Sequence, residues 1–254
     1  MRAASTSVEK AVDLLFHLHA ASAPEGVTAI GRALGLPKSS AHRILRSLRR
    51  RGLVERDARG RYAPGIGLLA LGLGVIESEP IAAAARPVLE RQADAVGETF
   101  FLVVARADHL IVLDKVEGNG FLRAAPRVGS SVPVHATAAG KLYLAYAPQR
   151  FEAARAASES RVAFTEETQT DARELEAEVE RVRSRGWAVN REEWIPGLSV
   201  LAAPVMRRGG IAGVVALAAA SANFEALGGE AQSERVVAMA REIGECLDGR
   251  KVAP

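Results

Sequence analysis

Residues 28–51, TAIGRALGLPKSSAHRILRSLRRR, decide the fold of the first part of the chain. They predict two short helices separated by a tight break at residues 35–37. Pro37 suits the first turn of the second helix, where its missing N–H costs nothing. At about 100° per residue, this second helix, 37–51, has an aliphatic stripe on one side and a polar, basic row on the other. The stripe comprises Ala41, Ile44, Leu45 and Leu48, and the row comprises Ser39, Arg43, Arg46 and Arg50, with Ser40 and His42 on the flanks.

Positive charge is concentrated around this helix. Between residues 38 and 61 there are nine Lys or Arg and two acidic residues, although the formal net charge of the whole chain is only +3. Residues 1–79 carry 12 basic and 7 acidic residues, whereas residues 80–254 carry 21 and 23. A basic helix alone is equally well explained as a solvated face, but a concentrated patch is what phosphate binding requires. The charges therefore predict two modules with different partners.

The elements on both sides of the basic helix predict a winged helix-turn-helix. We expect a helix over residues 7–21 with Ser7 as its N-cap, and a helix over residues 29–34 capped by Thr28. After the basic helix ends near Gly52, the turn-rich residues 57–60 lie between two short β-like runs, as in a hairpin wing. Such a domain places one helix in the major groove of duplex DNA. The residues that we predict to contact DNA are Thr28, Lys38, Ser39, Ser40, His42, Arg43, Arg46, Arg50, Arg59 and Arg61.

Several ordered motifs resemble those of the IclR family of bacterial transcriptional regulators. The first is GLPKSSAHRILRSLRRRGLVERDARGRYAPG at residues 35–65. Later motifs are VPVHATAAGKLYLA at 132–145 and GWAVNREEWIPGLSVLAAPV at 186–205. The resemblance extends from about residue 7 to about residue 249. It implies a ligand-responsive DNA-binding regulator with a GAF-like effector domain and, at residues 65–79, a connecting helix that helps to pair two subunits. The alternative for those apolar residues is a helix buried in the core.

The second module predicts an α+β domain, an antiparallel sheet flanked by helices. Its β-rich runs form two hairpins. The runs are residues 100–104 with 110–113, and 198–206 with 211–220, and the expected helices are 80–98 and 171–185. The predicted division of the whole chain is a winged helix-turn-helix domain at 1–64, a connecting and dimerisation helix at 65–79 and an effector-binding domain at 80–254.

No group of residues in the second module has the spacing of a catalytic or metal site. Residues 137–141, TAAGK, lack the leading glycine and the following hydroxyl of a phosphate-binding loop. The five histidines lack metal-ligand spacing, and His135 is interpreted as structural. Glu192 and Glu193 would face opposite sides of a strand. We therefore predict no enzyme activity, no cofactor and no metal. The alternatives are an enzyme that converts a small acid, and an RNA-binding protein, which would need aromatic residues among the basic ones.

The residues around position 138 predict an effector site. The small residues at 136–140 begin a predicted helix, whose first N–H groups suit an anion. In the resembled family, effectors are often small organic or aromatic acids, and the resemblance implies a site at Ala138, Ala139, Asn190, Leu198, Val200, Ala216 and Ala218. The family often has an acid at position 190, cysteine at 200 and serine at 216 and 218. Their absence favours a more apolar effector than a two- or three-carbon acid. The alternative is that these alanines are simply core.

The expected partners follow from the geometry of DNA recognition. One recognition helix covers only a half-site, so we predict a homo-oligomer, a dimer or a dimer of dimers, on a pseudopalindromic double-stranded operator. The N-terminus lacks the pattern of a secretory signal, and the longest uncharged run, residues 62–76, is too short and glycine-rich to span a bilayer. The sequence therefore predicts a soluble cytoplasmic protein without a membrane partner.

Overall fold

The computed structural model describes residues 6–77, 79–120, 126–151 and 161–249. The chain divides after residue 78 into two compact units. The first unit is a winged helix-turn-helix followed by one further helix, as the sequence predicts. Its elements are α1 Ser7–Ala20, α2 Val27–Ala33, α3 Lys38–Arg50, β1 Val54–Arg56, β2 Tyr62–Pro64 and α4 Ile66–Glu77. Strands β1 and β2 pair antiparallel as the wing.

The first helix begins one residue earlier than predicted. Thr6, not Ser7, is the N-cap of α1, because Thr6 and Glu9 form a capping box. The Glu9 N–H donates to Thr6 Oγ1 at 3.2 Å, and the Thr6 N–H donates to Glu9 Oε2 at 2.5 Å. Two of the orphan N–H groups of the helix start are thereby satisfied.

The predicted cap at Thr28 is wrong. Helix α2 begins at Val27 with the extended Gly26 as N-cap, so Thr28 lies inside the first turn. The early start follows from a β-bridge between Glu25 and Tyr62. The Glu25 N–H donates to the Tyr62 carbonyl at 2.9 Å, and the Tyr62 N–H donates to the Glu25 carbonyl at 2.7 Å. With residue 25 paired to the wing strand, the helix starts as soon as the bridge ends.

The core of the first unit is small and mostly aliphatic. Its buried members are Leu14, Leu18, Ile30, Leu45, Val54 and Tyr62. Helix α4 lies outside this core and exposes large apolar side chains. These are Ile66, Leu69, Leu71, Leu73 and Val75, each 48–67% exposed. The interpretation of residues 65–79 as a buried core helix is therefore wrong for this chain.

The second unit is built on one six-stranded antiparallel sheet in the order β5-β4-β3-β8-β7-β6. Its strands are β3 Thr99–Arg106, β4 His109–Val116, β5 Ser131–Val132, β6 Ala188–Arg191, β7 Leu198–Arg207 and β8 Gly210–Ala220. Its helices are α5 Pro80–Val96, α6 Ala138–Tyr146, α7 Ala172–Arg185, α8 Ser221–Ala226 and α9 Ser233–Leu247. The predicted α+β class is confirmed. In the described ranges, no single helix is both long and apolar enough to cross a membrane.

Helices cover both faces of the sheet. Alternate residues of each strand belong to different core clusters, as the period of two requires. One cluster joins the sheet to α5 and α9, and the other joins it to α6 and α7. Both predicted hairpins are present. The turn of the second is Arg208-Gly209, with φ of +48° and +79°, and Gly210 is the first residue of β8. The second cluster, between the sheet and α6, contains most of the predicted effector residues.

Candidate functional site

Helix α3 is anchored by its aliphatic stripe and ended by its glycine. Ala41 and Leu45 are fully buried, and Ile44 and Leu48 are half-buried. At the C-terminus, Gly52 has a φ of +70°, and its N–H donates to the Arg49 carbonyl at 3.0 Å. This left-handed cap turns the chain directly into the wing. The predicted stripe is thus the face that packs on the core.

The opposite side of α3 is open to solvent. Ser39, Arg43, Arg46 and Arg50 are all exposed, as are Lys38 and His42, whereas Ser40 is half-buried. Among the residues that the structure describes, no carboxylate forms an ion pair with Lys38, Arg43, Arg46 or Arg50. Thr28 is also exposed, on α2. The cations of this row therefore remain available to an external anion.

The wing tip is held by one carboxylate. Asp57 Oδ1 accepts the backbone N–H groups of Arg59 at 3.0 Å and Arg61 at 2.8 Å, and Asp57 Oδ2 accepts Arg61 Nε at 2.8 Å. Donation from the Arg61 backbone is the largest cause that holds the pKa of Asp57 below its ordinary value. The side chain of Arg61 is thus partly committed to the turn, and exposed Arg59 is the freer of the two predicted wing contacts.

An apolar cavity of about 40 Å³ lies between the sheet and the start of α6. Of the seven predicted effector residues, Ala138, Ala139, Val200 and Ala216 line it. Leu198 and Ala218 are buried in the same core cluster but do not line the cavity. Its volume is far below the roughly 300 Å³ of an ordinary small-molecule site. In this conformation the alanines are therefore core residues around a small void.

Asn190, the remaining predicted effector residue, lies outside this cavity. Its side chain is buried, Nδ2 donates to the Ala136 carbonyl at 2.5 Å and Oδ1 accepts the Glu193 N–H at 3.0 Å. Both ends of the amide are thus engaged by the backbone, and Asn190 does not line the cavity. It joins the segment before α6 to the loop that follows β6.

Sequence reasoning missed further cavity residues. They are Phe101, Val103, Val112, Pro126, Val132, Thr137 and Trp194. Alternate residues of a strand lie on the same face of a sheet. Assigning the residues of β3 and β4 to the two faces, and choosing the face that carries Ala216, would have found the strand residues. Trp194 gave no such signal because it lies in a loop. That loop begins at Glu192, whose φ of +59° ends the strand after Arg191, so the prediction that Glu192 and Glu193 lie in a strand is wrong.

The first turn of α6 is capped from within. Thr137 Oγ1 accepts the Gly140 N–H at 3.0 Å and donates to the Pro133 carbonyl at 2.7 Å. The residues from Ala136 to Gly140, whose first N–H groups we predicted to suit an anion, are buried because the turn packs into the sheet. His135, just before it, has Nε2 at 3.0 Å from the Val162 carbonyl and stacks on Phe164. This agrees with its interpretation as structural.

Lys141, the lysine of the phosphate-loop-like motif, forms a buried ion pair. Its Nζ lies 2.5 Å from Glu193 Oε1 and 3.2 Å from the Val189 carbonyl. The side chains of Lys141 and Glu193 are 5% and 11% exposed. Burial raises the pKa of Glu193, and the positive charge of Lys141 opposes that rise. The pair ties α6 to the loop after β6. In the described part of the chain, no group of three or more His, Cys, Asp or Glu is arranged to hold a metal.

Comparison with known proteins agrees with this architecture. Residues 7–58 match the IclR helix-turn-helix domain, and residues 73–245 match the bacterial transcriptional regulator IclR C-terminal domain. The probable transcriptional regulator SauR of Cupriavidus necator is 37% identical over 199 residues, 78% of this chain and 79% of that protein.

Solved structures share the fold over nearly the whole chain. The IclR transcriptional regulator from Alicyclobacillus acidocaldarius is 28% identical, with a TM-score of 0.80 over 95% of this chain and 98% of that one. An IclR homologue complexed with 4-hydroxybenzoate, from Microbacterium hydrocarbonoxydans, has a TM-score of 0.82 at 22% identity, over 96% and 100% of the two chains. With both domains matched in order, the chain belongs to the IclR family of bacterial transcriptional regulators.

Proposed function

We propose that this regulator acts in the cytoplasm and binds a pseudopalindromic DNA operator through two winged domains. The observation that carries the proposal is the solvent-exposed row on α3, Ser39, Arg43, Arg46 and Arg50. Arginine reaches both phosphates and guanine edges, and a small hydroxyl permits close approach to the groove. The wing, with Arg59 exposed at its tip, supplies a second contact beside the helix.

Two-fold pairing of the chain supplies the second half-site. Two exposed apolar surfaces of the first unit support it. One is the row of large side chains on α4, and the other is a stripe on α1, Val8, Val12 and Phe16, 43–72% exposed. Exposed apolar surface of this extent is typical of an interface. The proposed assembly is a homodimer or a dimer of dimers.

Fluorescence anisotropy with labelled nucleic acids tests the DNA-binding proposal. The probes are a duplex from the promoter of the protein's own gene, a scrambled duplex of equal length, one of its single strands and the matching RNA, all at one salt concentration. Specific sites are typically bound at least about 10³-fold tighter than random duplex. Equal affinity for all four probes would contradict the proposal.

We further propose that a small organic acid with an apolar portion binds at the cavity beside α6. The hydrocarbon lining from Val200, Ala216 and the strand residues supports an apolar ligand. Binding would act on DNA affinity by favouring one arrangement of the two winged domains over another. In this role the protein binds and releases the acid without converting it.

A thermal-shift screen tests the effector class. Benzoate and hexanoate are compared with pyruvate and glyoxylate at equal concentration, because a ligand that binds only the folded protein raises Tm. We expect the larger acids to give the larger shifts. Greater shifts with the two short keto acids would reject an apolar effector, and conversion of any of the acids to a product would reject the non-catalytic role.

A further inference from the structure

Trp194 lines the apolar cavity, and the effector proposal does not explain its position there. The residue is half-buried, packs against the core cluster that contains Ala138 and Ala139, and lines the cavity. The cavity holds about 40 Å³, whereas small-molecule sites usually hold roughly 300 Å³ or more. An organic acid therefore does not fit in the cavity as its lining stands.

We propose that the indole of Trp194 occupies the effector site of the free protein, and that the effector binds by displacing it. Trp194 is thus the residue that sets the size of the effector. This inference rests on the proposed effector site. It identifies the ligand as an acid with a flat apolar ring comparable in size to indole, because such a ring restores the contacts that the displaced side chain gives up.

The backbone before Trp194 is fixed by three different groups. The N–H of Glu193 donates to Asn190 Oδ1 at 3.0 Å, and its carbonyl accepts Thr168 Oγ1 at 2.6 Å. Its carboxylate is paired with Lys141. Together these contacts hold the start of the loop against α6 and β6. The loop therefore presents residue 194 to the cavity in a defined way.

The end of the loop is held as well. The Gly197 N–H donates to Glu192 Oε2 at 2.8 Å, and the Leu198 N–H donates to the Ile195 carbonyl at 3.1 Å. With both ends of the loop held, the side chain of Trp194 can move while the backbone stays in place.

The indole itself is held by apolar packing alone. Within the residues that the structure describes, Trp194 Nε1 has no hydrogen-bond partner. Swinging the ring toward solvent therefore breaks no hydrogen bond, and its cost is the loss of apolar contact. Trp187 differs, because the guanidinium of Arg185 lies 4.0 Å from the centre of its ring and it does not line the cavity.

The first test measures the binding of benzoate and 2-naphthoate to the full-length protein by calorimetry. When a side chain blocks the site, only the molecules in the open state can bind the ligand, and the apparent affinity is lowered to that fraction of its intrinsic value. Removing the side chain removes this penalty. We expect Trp194→Ala to bind both acids at least about tenfold tighter, since the penalty is the same for every ligand that needs the open state, and Trp194→Phe to give an intermediate gain. Trp187→Phe is the matched control and should leave both affinities unchanged.

A second measurement follows the indole directly and does not depend on a cavity-forming variant. In Trp187→Phe protein, Trp194 is the remaining tryptophan, since the chain has two. Saturation with benzoate should shift its emission to longer wavelength and increase quenching by acrylamide, because the ring passes into water. A shift to shorter wavelength, or no change at saturation, would overturn the displacement.

A third pair of variants separates this inference from the effector site itself. Ala216→Val narrows the cavity, whereas Ala219→Val adds the same methyl groups on the other face of β8. If Ala216→Val weakens benzoate binding and Trp194→Ala changes neither affinity, the site stands and the role of Trp194 is wrong. If Ala216→Val binds benzoate as well as Ala219→Val does, the acid binds elsewhere and both proposals fail.

Discussion

Replacement of Lys141 by methionine tests the buried ion pair that joins α6 to the loop carrying Trp194. The substitution keeps a long side chain but leaves the carboxylate of Glu193 without its cation, in a site where that side chain is 11% exposed. It also removes the donor to the Val189 carbonyl. Breaking a buried pair from one side typically costs about 3–5 kcal/mol of unfolding free energy.

Protonation of Glu193 limits that loss. A glutamate titrates near pH 4.3 in an unfolded chain, so holding it protonated costs about 3–4 kcal/mol at pH 7 and about 1 kcal/mol at pH 5. Burial already raises the pKa of Glu193 in the wild type, and loss of Lys141 raises it further. When the pKa of a carboxyl group is higher in the folded protein than in the unfolded chain, the free energy of unfolding falls progressively as the pH rises above the unfolded pKa. We therefore expect Lys141→Met to lose about 3 kcal/mol at pH 7 and less than about 1 kcal/mol at pH 5.

Urea unfolding followed by tryptophan fluorescence measures this difference, because Trp187 and Trp194 both belong to the second unit. Lys115→Met is the matched control, since Lys115 pairs at 2.6 Å with Glu117, which is 66% exposed, and such a pair contributes about 0–1 kcal/mol. Adding Glu193→Gln to Lys141→Met should recover most of the stability at pH 7. An equal loss at pH 5 and pH 7, or a double variant no more stable than the single one, would refute the argument.

Three further predictions concern DNA binding and the two cores. Arg43→Ala should reduce the preference for the operator by about 1–3 kcal/mol, whereas Arg50→Ala should weaken all duplexes alike and lower the salt slope by about 0.9. Equal effects of both changes on operator and random duplex in anisotropy titrations would show that neither residue reads sequence. Leu45→Ala, at a fully buried position, should lower the free energy of unfolding of the first unit by about 2–5 kcal/mol, as denaturation followed by circular dichroism would measure. It should also abolish DNA binding without altering benzoate binding. Thr137→Ala removes the cap of α6 and should cost about 1–2 kcal/mol in urea unfolding of the second unit, while Thr137→Ser should restore most of it.

The first unit could be predicted from its sequence almost completely, because its signals are local. The period of the apolar residues defined the buried face of α3, and Gly52 marked its end. The errors concern helix starts, where the deciding contacts are tertiary. Thr28 has the right chemistry for a cap, but the bridge between Glu25 and Tyr62 starts α2 two residues too early for it. No local pattern shows a pairing between residues so distant in sequence.

The effector region could be predicted only in part, because its geometry depends on contacts between separate elements. Ala138 and Ala216, two of the predicted effector residues, both line the cavity, since they lie on regular elements that face each other. Asn190 was assigned through the family resemblance, and its amide connects two backbone segments, a contact that the sequence does not show. Trp194 was missed because a left-handed glutamate, not a glycine, begins its loop, and such a turn has no sequence signature.

The polar side chains near the cavity already form hydrogen bonds or ion pairs within the protein. Asn190 and Glu193 bind the backbone and Lys141, and Thr137 caps its own helix. In the described part of the chain, the N–H groups of Ala138 and Ala139 have no hydrogen-bond acceptor, and both residues line the cavity at the positive end of α6. A carboxylate that enters as the indole leaves would meet these two donors first. The proposed displacement of the indole and anion binding by the helix start would therefore both be met by one ligand, a flat apolar ring carrying one acid group.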